Sequence, residues 1–177
     1  VATDHAAFNT TQKRAGRDDF RIIPNGSNGL EERLAVLWTE GVETGRLTPE
    51  EFVASTSTNI AKILNIYPRK GAIVEGADAD IVVWDPKISK VISPTNHHSV
   101  LDYNVFEGFK VNAQARYTIN RGEVIWAWGQ NSQPKPGRGR FIPRPAFPSA
   151  HAALSKWKVL NSPRRIERDP LNIPAGI

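Results

Sequence analysis

The chain has 177 residues, 40% of them hydrophobic, a net charge of +5, no cysteine and no methionine. That length suits one domain or parts of two. Without cysteine there are no disulfides and no thiolate chemistry. No apolar run approaches the ~20 residues that span a bilayer, so no membrane partner is expected.

The opening residues lack the basic start and apolar core of a signal peptide, and a cytoplasmic location is expected. A chain that opens on Val1 without an initiator methionine reads as a piece of a longer protein. The charge is unevenly spread. Residues 134–177 hold nine Lys/Arg against two Asp/Glu, a net +7, which leaves 14 against 16, a net −2, in residues 1–133. A basic tail is one form of nucleic-acid footprint. This one also carries Phe141, Ile142, Phe147, Leu154, Trp157, Val159 and Leu160, more apolar material than a solvated arm needs. The expectation is therefore a tail packed on protein, with no nucleic acid as partner.

Val1-Ala2-Thr3 reads as the end of a short buried strand, with Asp4 and His5 where the chain turns outward. Barrel enzymes place metal ligands and proton-transfer groups at such strand ends. A turn-capping aspartate has the same appearance, and the pair alone does not decide. Residues 9–19 are polar and predict an exposed loop with room for a helical turn. Phe20-Arg21-Ile22-Ile23 predicts a short extended piece. Pro24-Asn25-Gly26-Ser27-Asn28-Gly29 is a loop whose glycines permit positive φ and close approach to a ligand. An ordinary tight connection would look alike.

Leu30, Leu34, Leu37 and Trp38 recur at helical spacing and predict a helix ending at Gly41 or Gly45. Thr48-Pro49-Glu50-Glu51 is a helix start, with Thr48 as N-cap, Pro49 at the first helical position and Glu51 closing a capping box. Ser57 or Thr58 then caps a third helix with Ile60, Ala61, Ile63 and Leu64 inward, ending near Tyr67-Pro68.

From Pro68 the pattern turns to β. Ile73-Val74 predicts a short strand and Gly76-Ala77-Asp78 a turn. Ile81-Val82-Val83-Trp84 has the length and continuity of a strand buried on both faces. Lys90-Val91-Ile92 is a weaker strand, and residues 93–109 are loop. Arg116–Ile119 and Glu123–Trp126 form a hairpin through Asn120-Arg121-Gly122, with glycine in the left-handed position. A Pro/Gly/Arg-rich stretch follows from Gln130, then a possible helix at 149–157.

Helices first and strands afterwards suggest two architectures. The division expected is 1–67, 68–129 and a tail at 130–177. The first part has too little sheet to cover its own helices. The chain is therefore not expected to fold alone, since the helices at 30–40 and 49–64 would expose their apolar stripes.

A metal site needs several ligands converging on one point. The four histidines, His5, His97, His98 and His151, show no spacing that would put two imidazoles on one metal. His97-His98 would point in opposite directions if extended and reads as loop packing. No phosphate loop and no Gly-x-Ser-x-Gly elbow is present.

The run Thr3-Asp4-His5-Ala6-Ala7-Phe8, followed by Phe20-Arg21-Ile22-Ile23-Pro24-Asn25-Gly26-Ser27-Asn28-Gly29-Leu30-Glu31-Glu32-Arg33, resembles the C-terminal third of the dihydropyrimidinase and D-hydantoinase branch of the cyclic amidohydrolases. The likeness continues through Ser57-Thr58-Asn59-Ile60-Ala61-Lys62, Tyr67-Pro68-Arg69-Lys70-Gly71 and Gly76–Pro86. It reappears at Asp102-Tyr103-Asn104-Val105-Phe106-Glu107-Gly108 and Gly137–Arg144, so it spans residues 1–147 in order and leaves out the last thirty.

The resemblance implies a fold that is α/β plus β: the last strand and closing helices of a (β/α)8 TIM barrel over 1–67, then the C-terminal part of a β-sandwich over 68–129. The extended basic tail would contact a neighbouring subunit of a homotetramer. It also implies hydrolysis of a cyclic ureide or imide, a 5,6-dihydropyrimidine or a hydantoin, by two Zn²⁺ ions that share a carboxylated lysine and a bridging hydroxide. By position Asp4 would be both a metal ligand and the catalytic proton carrier, and Asn25 would bind the substrate's imide edge through its backbone. The lysine and the histidine ligands lie outside these residues, so the missing N-terminal part of the same protein is an implied partner and this piece alone should be inactive. Non-catalytic relatives, the collapsin response mediator proteins, share the fold but generally lack the aspartate and carry an acid in place of Asn25. Asp4 and Asn25 place this chain on the enzyme side.

Overall fold

The computed structural model describes residues 1–130 and 135–166. They fall into two compact units, divided between Ile142 and Pro143.

Within the stretch read as an exposed loop, α1 (Thr10–Lys13) forms because Asn9 and Gln12 make a reciprocal capping box. Phe20–Ile22 is a 3₁₀ turn, not the extended piece expected. Asp19 accepts the backbone N–H of Arg21 and pairs with its guanidinium at 2.8 Å. Such local side-chain bonds compete with an extended backbone.

Helix α2 (Arg33–Leu37) runs on through a π-helical turn, Trp38–Val42, and the chain reverses near Gly45, at φ 72°. Gly41 is buried there because Leu47 occupies the space a Cβ would need. Helix α3 (Pro49–Val53) begins as the sequence predicts, with the Thr48–Glu51 capping box and Pro49 in the first turn.

A separate cap at Ser57 or Thr58 is not found. The π-helical turn Ala54–Thr58 leads straight into α4 (Asn59–Ile63), Thr58 itself is helical, and its hydroxyl donates to Gly71 O at 2.8 Å. Only Ala61 of the predicted inward face is buried, against Gly71; Ile60, Ile63 and Leu64 are exposed. Leu30 and Val53 are exposed as well, so apolar residues on both helical stretches face outward.

Among the described residues five strands follow: β1 (Ile81–Asp85), β2 (Lys90–Val91), β3 (Lys110–Val111), β4 (Gln114–Asn120) and β5 (Glu123–Ala127). β1, β4 and β5 form an antiparallel sheet in the order β1-β4-β5, while β2 and β3 make a separate antiparallel pair. Ile73-Val74 is not a strand, and both residues are exposed. Nor is β1 buried on both faces. It lies at the sheet edge, with Val82 47% and Val83 41% exposed. The β4–β5 hairpin turns at Arg121 (φ 51°) and Gly122 (φ 82°), the pair of positive φ values that a two-residue turn needs. Asp80 braces it by accepting from the Arg121 N–H and from Asn120 Nδ2, each at 2.9 Å.

The core joins the helices to the sheet. Ala35 of α2 packs with Ile92 and Val111, surrounded by Val36, Trp84, Phe106 and Phe109. Trp38 meets Phe52 edge-on at 5.2 Å, and both rings lie within 6 Å of Trp84, at 5.9 and 5.8 Å. These offset contacts are the favourable aromatic arrangement.

In the second unit, α5 (Pro148–Leu160) is the helix anticipated over 149–157, with Leu154, Trp157, Val159 and Leu160 exposed. The remaining expectations for the tail, at 131–134 and 167–177, lie outside the described residues. Among the described residues no helix is long and apolar enough to cross a membrane.

Candidate functional site

The two segments that carry Asp4 and Asn25 lie side by side. His5 and Ser27 form a parallel bridge, and Ala6 N–H donates to Ser27 O at 3.0 Å. Because the pairing is parallel, Asp4 and Asn25 both lie on its N-terminal side. Their side chains are exposed and share no hydrogen bond. The buried strand expected over Val1–Thr3 is not formed. Val1 is 49% exposed, and its nitrogen donates to Ser55 O at 2.9 Å. A barrel strand needs a paired neighbour on each side, and among the described residues these three have none.

Asp4 has φ 50°, a left-handed conformation that aspartate tolerates better than most residues. Its carboxylate has no hydrogen-bond or ion-pair partner among the described residues. Gly26 sets the closeness of the two segments. At φ 133° it lies against Ala6, where a Cβ would be 2.5 Å from Ala6 O.

The loop is held from behind by a residue that sequence reading did not single out. Lys13 Nζ donates to Pro24 O at 3.0 Å and to Gly26 O at 2.7 Å, the carbonyls on either side of Asn25. Its ammonium also lies 5.8 Å from the Phe8 ring. Gly16 lets this support come close, since a Cβ there would overlap Ile23. The only sequence signal was the Asn9–Gln12 capping pattern just ahead of the lysine, and nothing in it pointed to the loop ten residues on.

Residues 97–106, read as plain loop, form the other support. Buried Asn28 donates to Tyr103 O at 2.7 Å and accepts from Val105 N–H at 3.1 Å. Buried Asn104 donates to Glu32 Oε1 at 2.6 Å and accepts from Phe106 N–H. Its amide also reaches His97 Nδ1, while His97 Nε2 donates to Leu101 O at 3.0 Å. Asp102 accepts from the Thr10 hydroxyl and from the Thr10 N–H, which hold its carboxyl below the usual range.

His98 turns away from His97. Its ring and its backbone N–H both meet Glu31, which Lys90 also approaches at 3.4 Å. Burial works against ionisation of Glu31, but the His98 bonds and the Lys90 charge outweigh it and hold the carboxyl low. Both histidines are thus engaged in packing the loop.

Two hollows accompany these contacts. One of about 330 Å³ is lined by Thr10, Lys13, Arg14, Arg17 and Tyr103. Another of about 840 Å³ lies under Trp84, Trp126 and Trp128, away from Asp4 and Asn25. Among the described residues no three His, Cys, Asp or Glu converge as a metal site would require. Asp4 fits as one donor, because its carboxylate is exposed and uncommitted. The other donors of a binuclear centre would have to come from elsewhere.

The chain is similar to several known proteins. Dihydropyrimidinase of Dictyostelium discoideum is 48% identical over 172 residues, 96% of this chain and 34% of that protein. That match runs well past residue 147, where the motifs stop. Human dihydropyrimidinase-related protein 5 is 40% identical over 171 residues, 96% of this chain and 30% of that protein. Among solved structures, a D-hydantoinase (dihydropyrimidinase) from Thermus sp. superposes with a TM-score of 0.78 at 42% identity, covering 81% of this chain and 31% of that one. The chain spans about a third of the length of the curated relatives it matches. The model of the Amidohydrolase family matches residues 1–125, the stretch that holds Asp4, the Asn25 loop and both of its supports, and the chain belongs to that family.

Proposed function

We propose that this chain is the C-terminal part of a cyclic amidohydrolase that opens 5,6-dihydropyrimidines, such as dihydrouracil to 3-ureidopropanoate, or hydantoins to the corresponding ureido acids. The observation that carries this reading is the pairing of the Asp4 segment with the Asn25 loop through His5, Ala6 and Ser27. It sets an uncommitted carboxylate beside a backbone that glycine opens to a ligand. The named relatives support the same reaction class. In this reading residues 1–67 complete a (β/α)8 barrel, residues 68–129 contribute to a β-sandwich, and the tail contacts a second subunit of a homotetramer.

Asp4 and ligands from the rest of the protein would hold two Zn²⁺ ions. Such ions supply a lowered water pKa and a polarised amide carbonyl. Asp4 then acts in this chain as a positioned proton carrier. It takes the proton of the attacking water and delivers it to the ring nitrogen as the C–N bond breaks. Asn25 holds the substrate through its main chain, with the N–H donating to a ring carbonyl and the C=O accepting from the imide N–H. Among the described residues neither group has another partner.

The likeness to dihydropyrimidinase-related protein 5 favours a second reading, a non-catalytic scaffold of the same fold. Asp4→Ala in the full-length protein separates the two. The enzyme reading expects dihydrouracil and hydantoin opening to fall by at least about a thousandfold, within the range seen when groups that act as a unit in catalysis are removed. Unchanged hydrolysis would remove Asp4 from the mechanism. Absence of hydrolysis in the metal-loaded wild type would favour the scaffold.

A further inference from the structure

We propose that Lys13 is the positioning residue of the substrate loop, aiming and polarising the Asn25 main chain from the side opposite the substrate. This rests on the assignment of Asn25 as the substrate contact. Lys13 does not touch substrate. Its ammonium donates to Pro24 O at 3.0 Å and to Gly26 O at 2.7 Å.

The first of these carbonyls shares a peptide unit with the Asn25 N–H. A trans peptide is planar, so its C=O and N–H point in opposite directions. Holding Pro24 O on the Lys13 side therefore directs the Asn25 N–H away from Lys13, and that N–H has no partner among the described residues. The grip on Gly26 O fixes the chain on the far side of Asn25 as well. Between the two anchors, the Asn25 C=O is left with little freedom to rotate.

Lys13 is half-buried, and no carboxylate pairs with it among the described residues. Its charge is thus directed at the peptide carbonyls instead of being cancelled locally. A cation on a carbonyl oxygen draws density through the amide and makes the attached N–H a stronger donor, the cooperative polarisation of linked hydrogen bonds. The surrounding contacts fit this role. Phe8 covers one side of the ammonium at 5.8 Å, and Gly16 lets Ile23 pack tightly enough to bring α1 over the loop. The ligand class this arrangement favours has a carbonyl next to an N–H on one edge of a ring, as in a cyclic imide or ureide.

The test is steady-state kinetics of dihydrouracil opening by the full-length, metal-loaded protein, comparing wild type with Lys13→Met and Lys13→Arg. Loss of aim at a substrate-binding donor acts on binding. Lys13→Met should raise KM about tenfold, equivalent to about 1.4 kcal/mol, with little change in kcat. Lys13→Arg keeps the charge and the donors and should recover most of the loss. A merely structural role would reduce the active fraction, lowering kcat and leaving KM alone, and that pattern overturns the proposal. So does an unchanged KM. If Lys13→Met does not fold, Lys13→Gln decides, with the same KM rise expected and an unchanged KM refuting it. Wild-type protein that opens neither dihydrouracil nor hydantoin overturns the functional reading and this inference together. Wild-type activity with no KM response overturns the inference alone.

Discussion

Gly26→Ala is the most direct probe of the geometry that joins the two site segments. The added Cβ would lie 2.5 Å from Ala6 O and 2.6 Å from Ala6 Cβ, while ordinary contact begins at 3.4 Å. The segments must therefore separate by about 0.9 Å, the difference between 3.4 and 2.5 Å. The bond from Ala6 N–H to Ser27 O, now 3.0 Å, would lengthen beyond hydrogen-bonding range. Separately, φ of 133° is unfavourable for alanine and adds about 1–3 kcal/mol of strain. Misplacing reacting groups by about 1 Å can cost about a hundredfold in rate. The expected outcome is a hundredfold fall in kcat/KM for dihydrouracil in the full-length protein, with a lower melting temperature. Gly45→Ala is the control. Its φ is 72° and nothing lies within 4 Å of the added carbon, so it should cost about 1–2 kcal/mol of stability without touching kcat/KM. If Gly26→Ala melts and turns over like wild type, the contact with Ala6 does not set the site.

Two further outcomes follow from the supports. Asn28→Leu leaves Tyr103 O and the Val105 N–H without their buried partner, which should cost about 2–4 kcal/mol in urea unfolding; a cost near zero would show that the 97–106 loop is not held through Asn28. The pH dependence should have an acid arm set by Lys70, Asp78 and Asp80. The Lys70 bond, against burial and aided by Arg69, lowers Asp78; burial opposes but Lys70 and the Arg121 N–H prevail in lowering Asp80. Both carboxylates thus stabilise the fold above their ordinary pKa of about 3.9, and that contribution is lost as pH falls through their depressed values. Lys70 is raised despite its burial, by Asp80 and Asp78, so its share is full below its ordinary value of about 10.4 and is lost only as pH rises through the raised one. Thermal melts should show Lys70→Met losing less stability than wild type between about pH 4 and pH 2; parallel curves would contradict the network.

Local chemistry made several elements legible in the sequence. Thr48, Pro49 and Glu51 satisfy each other within one turn, so that helix start needs no distant partner. The Asn120-Arg121-Gly122 turn and the strands on either side are equally local. Phe20–Ile22 changed for a local reason, the Asp19 cap, but other readings that changed involve neighbours. Val1–Thr3 has strand composition but no pairing partner among the described residues. Val82 and Val83 were read as doubly buried, yet β1 lies at a sheet edge. Ile60 and Ile63 repeat at helical spacing, yet face outward.

The site divides along the same line. Asp4 and Asn25 are candidates because they match a family motif, and what each offers is legible in the sequence: a carboxylate, and a main chain followed by glycine. Tertiary structure decided the rest. It paired His5 with Ser27, buried Asn28 against the 97–106 loop and buried Asn104 against Glu32. It also turned Lys13, an ordinary surface residue by sequence, toward two carbonyls more than ten positions away. A backbone carbonyl has no side-chain signature, so a lysine that serves one is invisible until the chain has folded the two together.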